Sequence, residues 1–192
     1  MNLNEYLQSS DVIDFQCAAV RSLADRLGQN STAEDTAARC FRWVRDNIRH
    51  SGDCQDDVVT LSASDVLRHG TGLCYAKSHL LSALLRANEI PCGFVYQRLA
   101  LDESGSSFCL HGLNAVWLGD RGWYRVDARG NRDGIHTEFD PPSEHFAFAT
   151  ENPGERTYRQ IFAAPLPVVV SALQRYESLP QLNDNLPDWV DD

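Results

Sequence analysis

Residues 69–91, "HGTGLCYAKSHLLSALLRANEIP", place two glycines ahead of a cysteine and continue as a long helical pattern. Four leucines within residues 80–85 give the pattern an apolar face, and the glycines allow a tight turn before it. We therefore predict a helix over residues 73–88 with Cys74 at its open end. Unpaired N–H groups and the helix dipole stabilise a thiolate at that end. Cys74 is a candidate nucleophile, although a buried cysteine can equally be a small core residue.

The charge balance of the chain argues against partners that are bound by clustered basic residues. Its 27 acidic and 17 basic side chains leave a formal net charge of −10. Nucleic acids and anionic membranes are bound by patches of Lys and Arg that displace counterions. The N-terminus lacks a signal-peptide pattern, and no apolar run approaches about 18 residues. We expect a cytoplasmic protein without nucleic-acid or membrane partners.

Helical patterns occupy the first part of the chain. Apolar residues at helical spacing predict a helix over residues 11–27. A capping box of Ser31 and Glu34 begins the next helix, which ends near residue 50. A third helix is predicted over residues 63–69, where a glycine follows it.

Three runs rich in β-branched and aromatic residues follow, which is typical of an antiparallel meander. The runs are residues 92–101, 109–118 and 122–129. Helices ahead of such a sheet predict the α+β class. No linker is evident, so residues 1–192 are expected to form one domain with a core of about residues 31–130. Residues 166–178 fit a strand or a helix, and the tail, residues 180–192, is expected to be flexible unless Trp189 docks it.

A thiolate nucleophile needs a base, and the predicted hairpin offers one. His79 is excluded because it lies five residues along the same helix, about 140° around the axis from Cys74. His111 lies on a strand that can hold its ring, and Asp127 on the next strand can orient it. Three further histidines lie in turns or irregular segments that leave their positions undefined: His69, His136 and His145.

The hairpin connection decides whether His111 and Asp127 share a face of the sheet. A symmetric two-residue turn would pair His111 with residue 130 and point Asp127 to the opposite face. A connection with an odd number of residues pairs His111 with residue 129 and brings the two side chains together. We therefore predict an odd-length loop or a bulge around residues 119–122.

The segments around these residues resemble the cysteine, histidine and aspartate motifs of the transglutaminase-like superfamily, of the bacterial, cysteine-protease type. They are "GTGLCYAKSHLLSALLRANEIPCGFVYQRL", "HGLNAVWL" and "GWYRVDARG". By this resemblance Cys74 corresponds to the nucleophile, His111 to the general base and Asp127 to the orienting carboxylate. The resemblance also implies a papain-like fold, in which a cysteine-bearing helix packs on an antiparallel sheet. The family's H-x-W and D-P-T patterns are absent here, which indicates a subfamily with its own substrate pocket.

The resemblance implies a cysteine-dependent amide-bond hydrolase or acyltransferase that acts on a peptide, protein or other amide-bearing substrate. Cys74 would form an acyl-thioenzyme that water or an amine resolves, without a metal or an organic cofactor. The Cys74 backbone N–H is the expected first donor of an oxyanion hole, and Gln55, His50 and Trp43 are candidates for the second. The competing hypothesis is a catalytically inactive protein-binding module on the same fold. The sequence does not define the oligomeric state.

The remaining reactive or charged residues have simpler interpretations. The six cysteines form no CxxC pair, so we expect reduced thiols that mostly serve packing. Lys77, the single lysine, either assists a thiolate or a substrate carboxylate or is a solvated helix residue. Arg125, Arg129 and Arg132 either bind an acidic substrate group or, as we expect, pair with carboxylates at the surface.

Overall fold

The computed structural model describes residues 2–102 and 105–190, with most of its helices ahead of its main sheet along the chain. The α-helices are α1 (Ala18–Gly28), α2 (Ala33–Asn47), α3 (Ser51–Cys54), α4 (Ala63–His69), α5 (Cys74–Ala87), α6 (Pro167–Arg175) and α7 (Leu179–Asn183). The strands are β1 (Arg49–His50), β2 (Thr71–Gly72), β3 (Cys92–Ala100), β4 (Phe108–Trp117), β5 (Trp123–Val126), β6 (Phe139–Asp140), β7 (Ser143–Glu144) and β8 (Arg156–Thr157). This arrangement confirms the predicted α+β class. Among the described residues, no helix combines the length and apolar character needed to span a bilayer.

Helix α5 is the centre of the fold, and all of its residues are buried. It packs against α1, α2 and α4 and against strands β3 and β4. It begins at Cys74, with Leu73 as its N-cap, and ends at Ala87, so each end lies within one residue of the predicted helix. A Cβ at Gly72 would lie 2.9 Å from Thr60 Oγ1 and 3.1 Å from the Cβ of Ala76, so glycine allows the chain to enter the helix here. Cys74 is thus held at the end of a helix that the core surrounds.

The first helix is shorter than predicted, because α1 begins at Ala18 rather than at residue 11. The intervening residues form turns against the start of α4. Asp14 contributes to this contact by accepting a hydrogen bond from the Ser64 backbone N–H at 2.9 Å. A tertiary contact therefore replaces the first turns of the helix that the apolar spacing predicts.

The predicted capping box at the start of α2 is also wrong by one residue. Thr32 is the N-cap, and its hydroxyl accepts the backbone N–H of Asp35 at 3.1 Å. Ser31 Oγ instead lies 2.8 Å from Thr36 Oγ1. Two adjacent hydroxyl residues both suit an N-cap, so composition does not decide between them.

The main sheet has the strand order β5-β4-β3-β8, which confirms the meander of β3, β4 and β5. Strand β8 pairs with the other edge of β3, an addition that the sequence patterns did not predict. Trp117 pairs with Trp123, so residues 118–122 form an odd-length connection, as predicted. In this register His111 and Asp127 lie on one face of the sheet.

The C-terminal segment packs on the sheet instead of leaving it. Residues 166–178, for which the sequence allows a strand or a helix, contain helix α6, and α7 follows it. The Trp189 ring lies 4.9 Å from the Tyr158 ring, centroid to centroid, which is the docking that the sequence allowed. Asp188 pairs with Arg98 through two contacts of 2.7 Å. The last part of the predicted tail, residues 191–192, lies outside the described residues.

Candidate active site

Cys74 lies at the first position of α5, only 7% exposed, where the helix start meets strand β4. Its sulfur accepts a hydrogen bond from the backbone N–H of Gly112 at 3.4 Å. A Cβ at Gly112 would lie 3.1–3.3 Å from Tyr75, including its backbone N and Cα. Glycine therefore allows the strand to approach the helix start. This contact was not predicted, and its signal in the sequence is the glycine next to His111.

His111 and Asp127 form a buried pair beside the sulfur. His111 Nε2 lies 2.9 Å from Asp127 Oδ2. The carboxylate also accepts backbone N–H groups, from Arg129 at 3.0 Å and from Ala147 at 2.8 Å. Burial raises the pKa of Asp127, but His111 and these hydrogen bonds bring it below the ordinary value. The carboxylate is therefore held ionised and oriented toward the ring.

The environment of His111 favours its protonated form. Burial lowers the pKa of His111, but the charges of Asp127 and Cys74 and hydrogen bonds to both raise it to about 10. Because Asp127 engages Nε2, Nδ1 is the nitrogen available to the sulfur. The Phe148 ring meets the imidazole edge to face at 5.0 Å between centroids. The structure thus brings the three predicted site residues together.

A cleft of about 350 Å³ opens beside Cys74 and His111. Its apolar lining includes five leucines. Besides His111, its polar and charged lining residues include His50, Arg129, Glu155 and Asn183. The cleft therefore gives a small molecule or one side chain of a larger substrate access to the sulfur.

Of the three residues that the sequence offers as the second oxyanion donor, His50 lines this cleft. Gln55 lines an adjoining depression beside α7, and Trp43 packs against the core. Burial, followed by the charge of Arg129, lowers the pKa of His50 to about 3, so the ring is neutral at neutral pH. Its Nδ1 is buried without a hydrogen-bond partner among the described residues. A neutral imidazole retains one N–H that can donate.

Lys77 occupies a position that neither interpretation of the sequence predicted. It is 1% exposed, which rules out a solvated helix residue. Its ammonium group donates to the backbone oxygen of Ile48 and, at 3.4 Å, to that of Arg45. Burial, followed by the charge of Arg129, lowers the pKa of Lys77 to about 7. Lys77 therefore connects α5 to the end of α2, and its hydrogen bonds are made there instead of at the sulfur.

The predicted pairing of the arginines with carboxylates is confirmed. Arg125 lies 2.6 Å from Glu144, and Arg132 lies 3.3 Å from Asp53. Arg129 pairs with Asp53 through two contacts of 2.7 Å, but it is 5% exposed. Arg129 is thus a buried part of the cleft wall that pairs with the exposed Asp53, whereas the sequence predicts a pair that lies wholly at the surface.

The other histidines lie away from the sulfur, and the exclusion of His79 is confirmed. The His79 ring is fully buried, with Nδ1 2.8 Å from the Leu61 backbone oxygen. His69 ends α4, and His136 and His145 follow β5; none of the three lines the cleft. All six cysteines are free thiols, as predicted.

Comparison with known proteins relates the middle of the chain to a described family and fold. Residues 21–128 match the family described as the transglutaminase-like superfamily. The structure of a candidate cysteine protease from Cytophaga hutchinsonii aligns with a TM-score of 0.55 and 21% identity, over 67% of this chain and 42% of that one. The periplasmic domain of TgpA from Pseudomonas aeruginosa aligns with a TM-score of 0.48 and 20% identity, over 64% and 45%. The aligned part is thus less than half of each of these structures, and the search of curated proteins found no match.

Proposed function

This chain belongs to the transglutaminase-like superfamily, and from that premise we propose that it is a cysteine-dependent hydrolase or acyltransferase acting on amide-bearing substrates. In the proposed mechanism Cys74 is the nucleophile, His111 the proton carrier and Asp127 the orienting carboxylate. The observation that carries the proposal is the position of His111, whose Nε2 lies 2.9 Å from Asp127 Oδ2 and whose side chain lines the same cleft as Cys74.

The first half of the reaction forms an acyl-thioenzyme. The Cys74 thiolate attacks the carbonyl carbon, so a C–S bond forms and the carbonyl electron pair moves to oxygen. The backbone N–H of Cys74 donates to this oxyanion. As the oxygen pair returns and the C–N bond breaks, His111 Nδ1 transfers its proton to the leaving nitrogen. Asp127 keeps the imidazole oriented throughout.

The second half releases the acyl group. Neutral His111 accepts a proton from water as the water oxygen attacks the thioester carbon, and the C–S bond then breaks to restore the thiolate. An amine in place of water would give transamidation by the same steps. We favour hydrolysis, because the Cytophaga hutchinsonii protein of the same fold is described as a candidate cysteine protease, which suggests peptide or protein substrates.

Competitive alkylation with iodoacetamide tests this proposal inside a single protein. Cys54 is exposed, whereas Cys74 is buried, so accessibility alone predicts faster labelling of Cys54. We expect Cys74 to be labelled faster at pH 6, because a thiolate is the reactive form. Mass spectrometry of the digested protein gives both rates. Labelling of Cys74 no faster than that of Cys54 would reject the activated nucleophile and favour a non-catalytic binding module.

His50 is proposed as the second oxyanion donor, which predicts a selective defect in His50→Ala. Acylation by p-nitrophenyl acetate should fall about 10²-fold, because it passes through an oxyanion. Alkylation by iodoacetamide forms no oxyanion, so its rate should stay within about twofold. Stopped-flow release of p-nitrophenol and mass spectrometry provide the two rates.

Gln55→Asn is the matched control for this prediction, because Gln55 lies outside the cleft in a left-handed backbone conformation that asparagine tolerates. In Gln55→Asn, the rates of acylation by p-nitrophenyl acetate and of alkylation by iodoacetamide should both be unchanged. If His50→Ala slows acylation and alkylation equally, His50 acts on the reactivity of the Cys74 sulfur and not on the oxyanion. If neither rate falls, the second oxyanion donor is another group.

A further inference from the structure

The cleft beside Cys74 has a mainly apolar lining that comes from several parts of the chain. These side chains precede α5, lie in β3 or β4, follow β3 or β7, or belong to the C-terminal segment: Leu73, Leu99, Leu101, Leu110, Phe148 and Leu186. Leu101 is 51% exposed, so part of this apolar surface faces water. Covering such surface with an apolar group is favourable.

The charged groups of the cleft are already paired within the protein. The Arg129 guanidinium makes two contacts of 2.7 Å with Asp53. The Glu155 carboxylate accepts the backbone N–H groups of Ala100 at 3.0 Å and Asn152 at 2.9 Å. A charged substrate group would lose hydration in the cleft and would compete with these partners. The charges of the wall therefore do not favour a charged occupant.

One side of the cleft comes from residues that lie beyond the family match. Leu186 lines the cleft, and the next residue, Pro187, accepts the Leu110 backbone N–H at 2.8 Å. Asp188 then pairs with Arg98 through two contacts of 2.7 Å. These contacts hold Leu186 in place, so the apolar wall is a feature of this chain in addition to its superfamily core.

We propose that the cleft selects substrates with a bulky apolar group, such as a leucine or phenylalanine side chain, beside the carbonyl that Cys74 attacks. This inference rests on the proposed function of Cys74 and adds the substrate class. The volume of about 350 Å³ is near the lower end of small-molecule pockets, which span about 300–1,000 Å³. It fits one such group and its carbonyl.

Alkylating reagents that differ only in their side group test the selectivity without requiring turnover. The probes are N-benzyl-iodoacetamide, the carboxylate reagent N-(iodoacetyl)-β-alanine, and iodoacetamide itself. With each, the Cys74 thiolate forms a C–S bond while the C–I bond breaks and iodide leaves. Rates at Cys74, measured by mass spectrometry, are divided by the rates with free glutathione to remove intrinsic reactivity. We expect the benzyl reagent to be favoured at least tenfold over the carboxylate reagent.

Leu101→Asn should reduce this preference about fivefold or more, because it places a polar group on the exposed apolar wall. Val58→Asn is the matched control, since Val58 is similarly exposed, at 41%, and lies outside the cleft. The preference of Val58→Asn for the benzyl reagent over the carboxylate reagent should equal that of the unmodified protein. Equal corrected rates for the two reagents, or an unchanged preference in Leu101→Asn, would overturn the inference while leaving the nucleophile intact. Slow labelling of Cys74 by all three reagents would instead reject the proposed function, and the inference with it.

Discussion

His111→Ala should slow the alkylation of Cys74 by iodoacetamide about 10²-fold at pH 6 and by little at pH 9. The reason is the loss of the positive charge of the protonated ring beside the sulfur, which favours the thiolate. An ordinary cysteine is only about 0.3% thiolate at pH 6 but mostly thiolate at pH 9. Second-order rate constants at both pH values, obtained by mass spectrometry, measure the change.

The same substitution should remove a larger part of catalysis than of alkylation. His111 would also donate the proton to the leaving group, a role that contributes about 10²–10⁴-fold. Hydrolysis of an amide should therefore fall further than alkylation at the same pH. His145→Ala is the control, because the side chain of His145 is 40% exposed and does not line the cleft. If His111→Ala behaves like this control in both assays, the proposed role of His111 is wrong.

Asp127→Asn should have the largest effect on stability among the site variants, about 3–5 kcal/mol in the free energy of unfolding near pH 6.5. The substitution leaves a buried imidazole without its charge partner, and because an amide has one acceptor oxygen, one of the two backbone N–H groups loses its acceptor. Urea unfolding followed by tryptophan fluorescence measures the difference. Asp25→Asn, which breaks an exposed pair with Arg21, should cost less than about 1 kcal/mol.

The loss of unfolding free energy caused by Asp127→Asn should become smaller as the pH rises. The pKa of His111 is about 10 in the folded protein and about 6.5 when unfolded. The pair therefore contributes stability that is fully present below pH 6.5 and is lost as the pH rises through 10. Asp127→Asn lacks this contribution, so the gap between variant and unmodified protein should narrow from pH 6.5 to pH 10. A gap that widens over this range would contradict the protonated state assigned to His111.

Local patterns in the sequence predicted the elements that carry the site. The glycines, the cysteine and the leucines of α5 are close in the chain, and their helical spacing is sufficient to place Cys74 at a helix start. The parity of the β4–β5 connection likewise predicts that His111 and Asp127 share a face. Helix ends were less predictable, because α1 and α2 have caps and first turns that depend on competing neighbours.

Contacts between distant segments could not be predicted in this way. Lys77 was placed on the correct helix, but its burial depends on how α2 packs across α5. The pair of the buried Arg129 with the exposed Asp53 joins residues 76 positions apart in the chain. The backbone donor of Gly112 to Cys74 depends on how closely β4 approaches the helix. Each of these contacts is set by packing rather than by a repeat or a motif.

The sequence by itself determined helix α5, the antiparallel meander and the meeting of Cys74, His111 and Asp127. Those features follow from short-range periodicity, turn length and motif residues. Only the tertiary structure decided the lining of the cleft, the neutral His50 beside it and the wall contributed by Leu186. The physical reason is that burial and desolvation are collective: they depend on which distant segments exclude water from a group, and no single stretch of sequence specifies that.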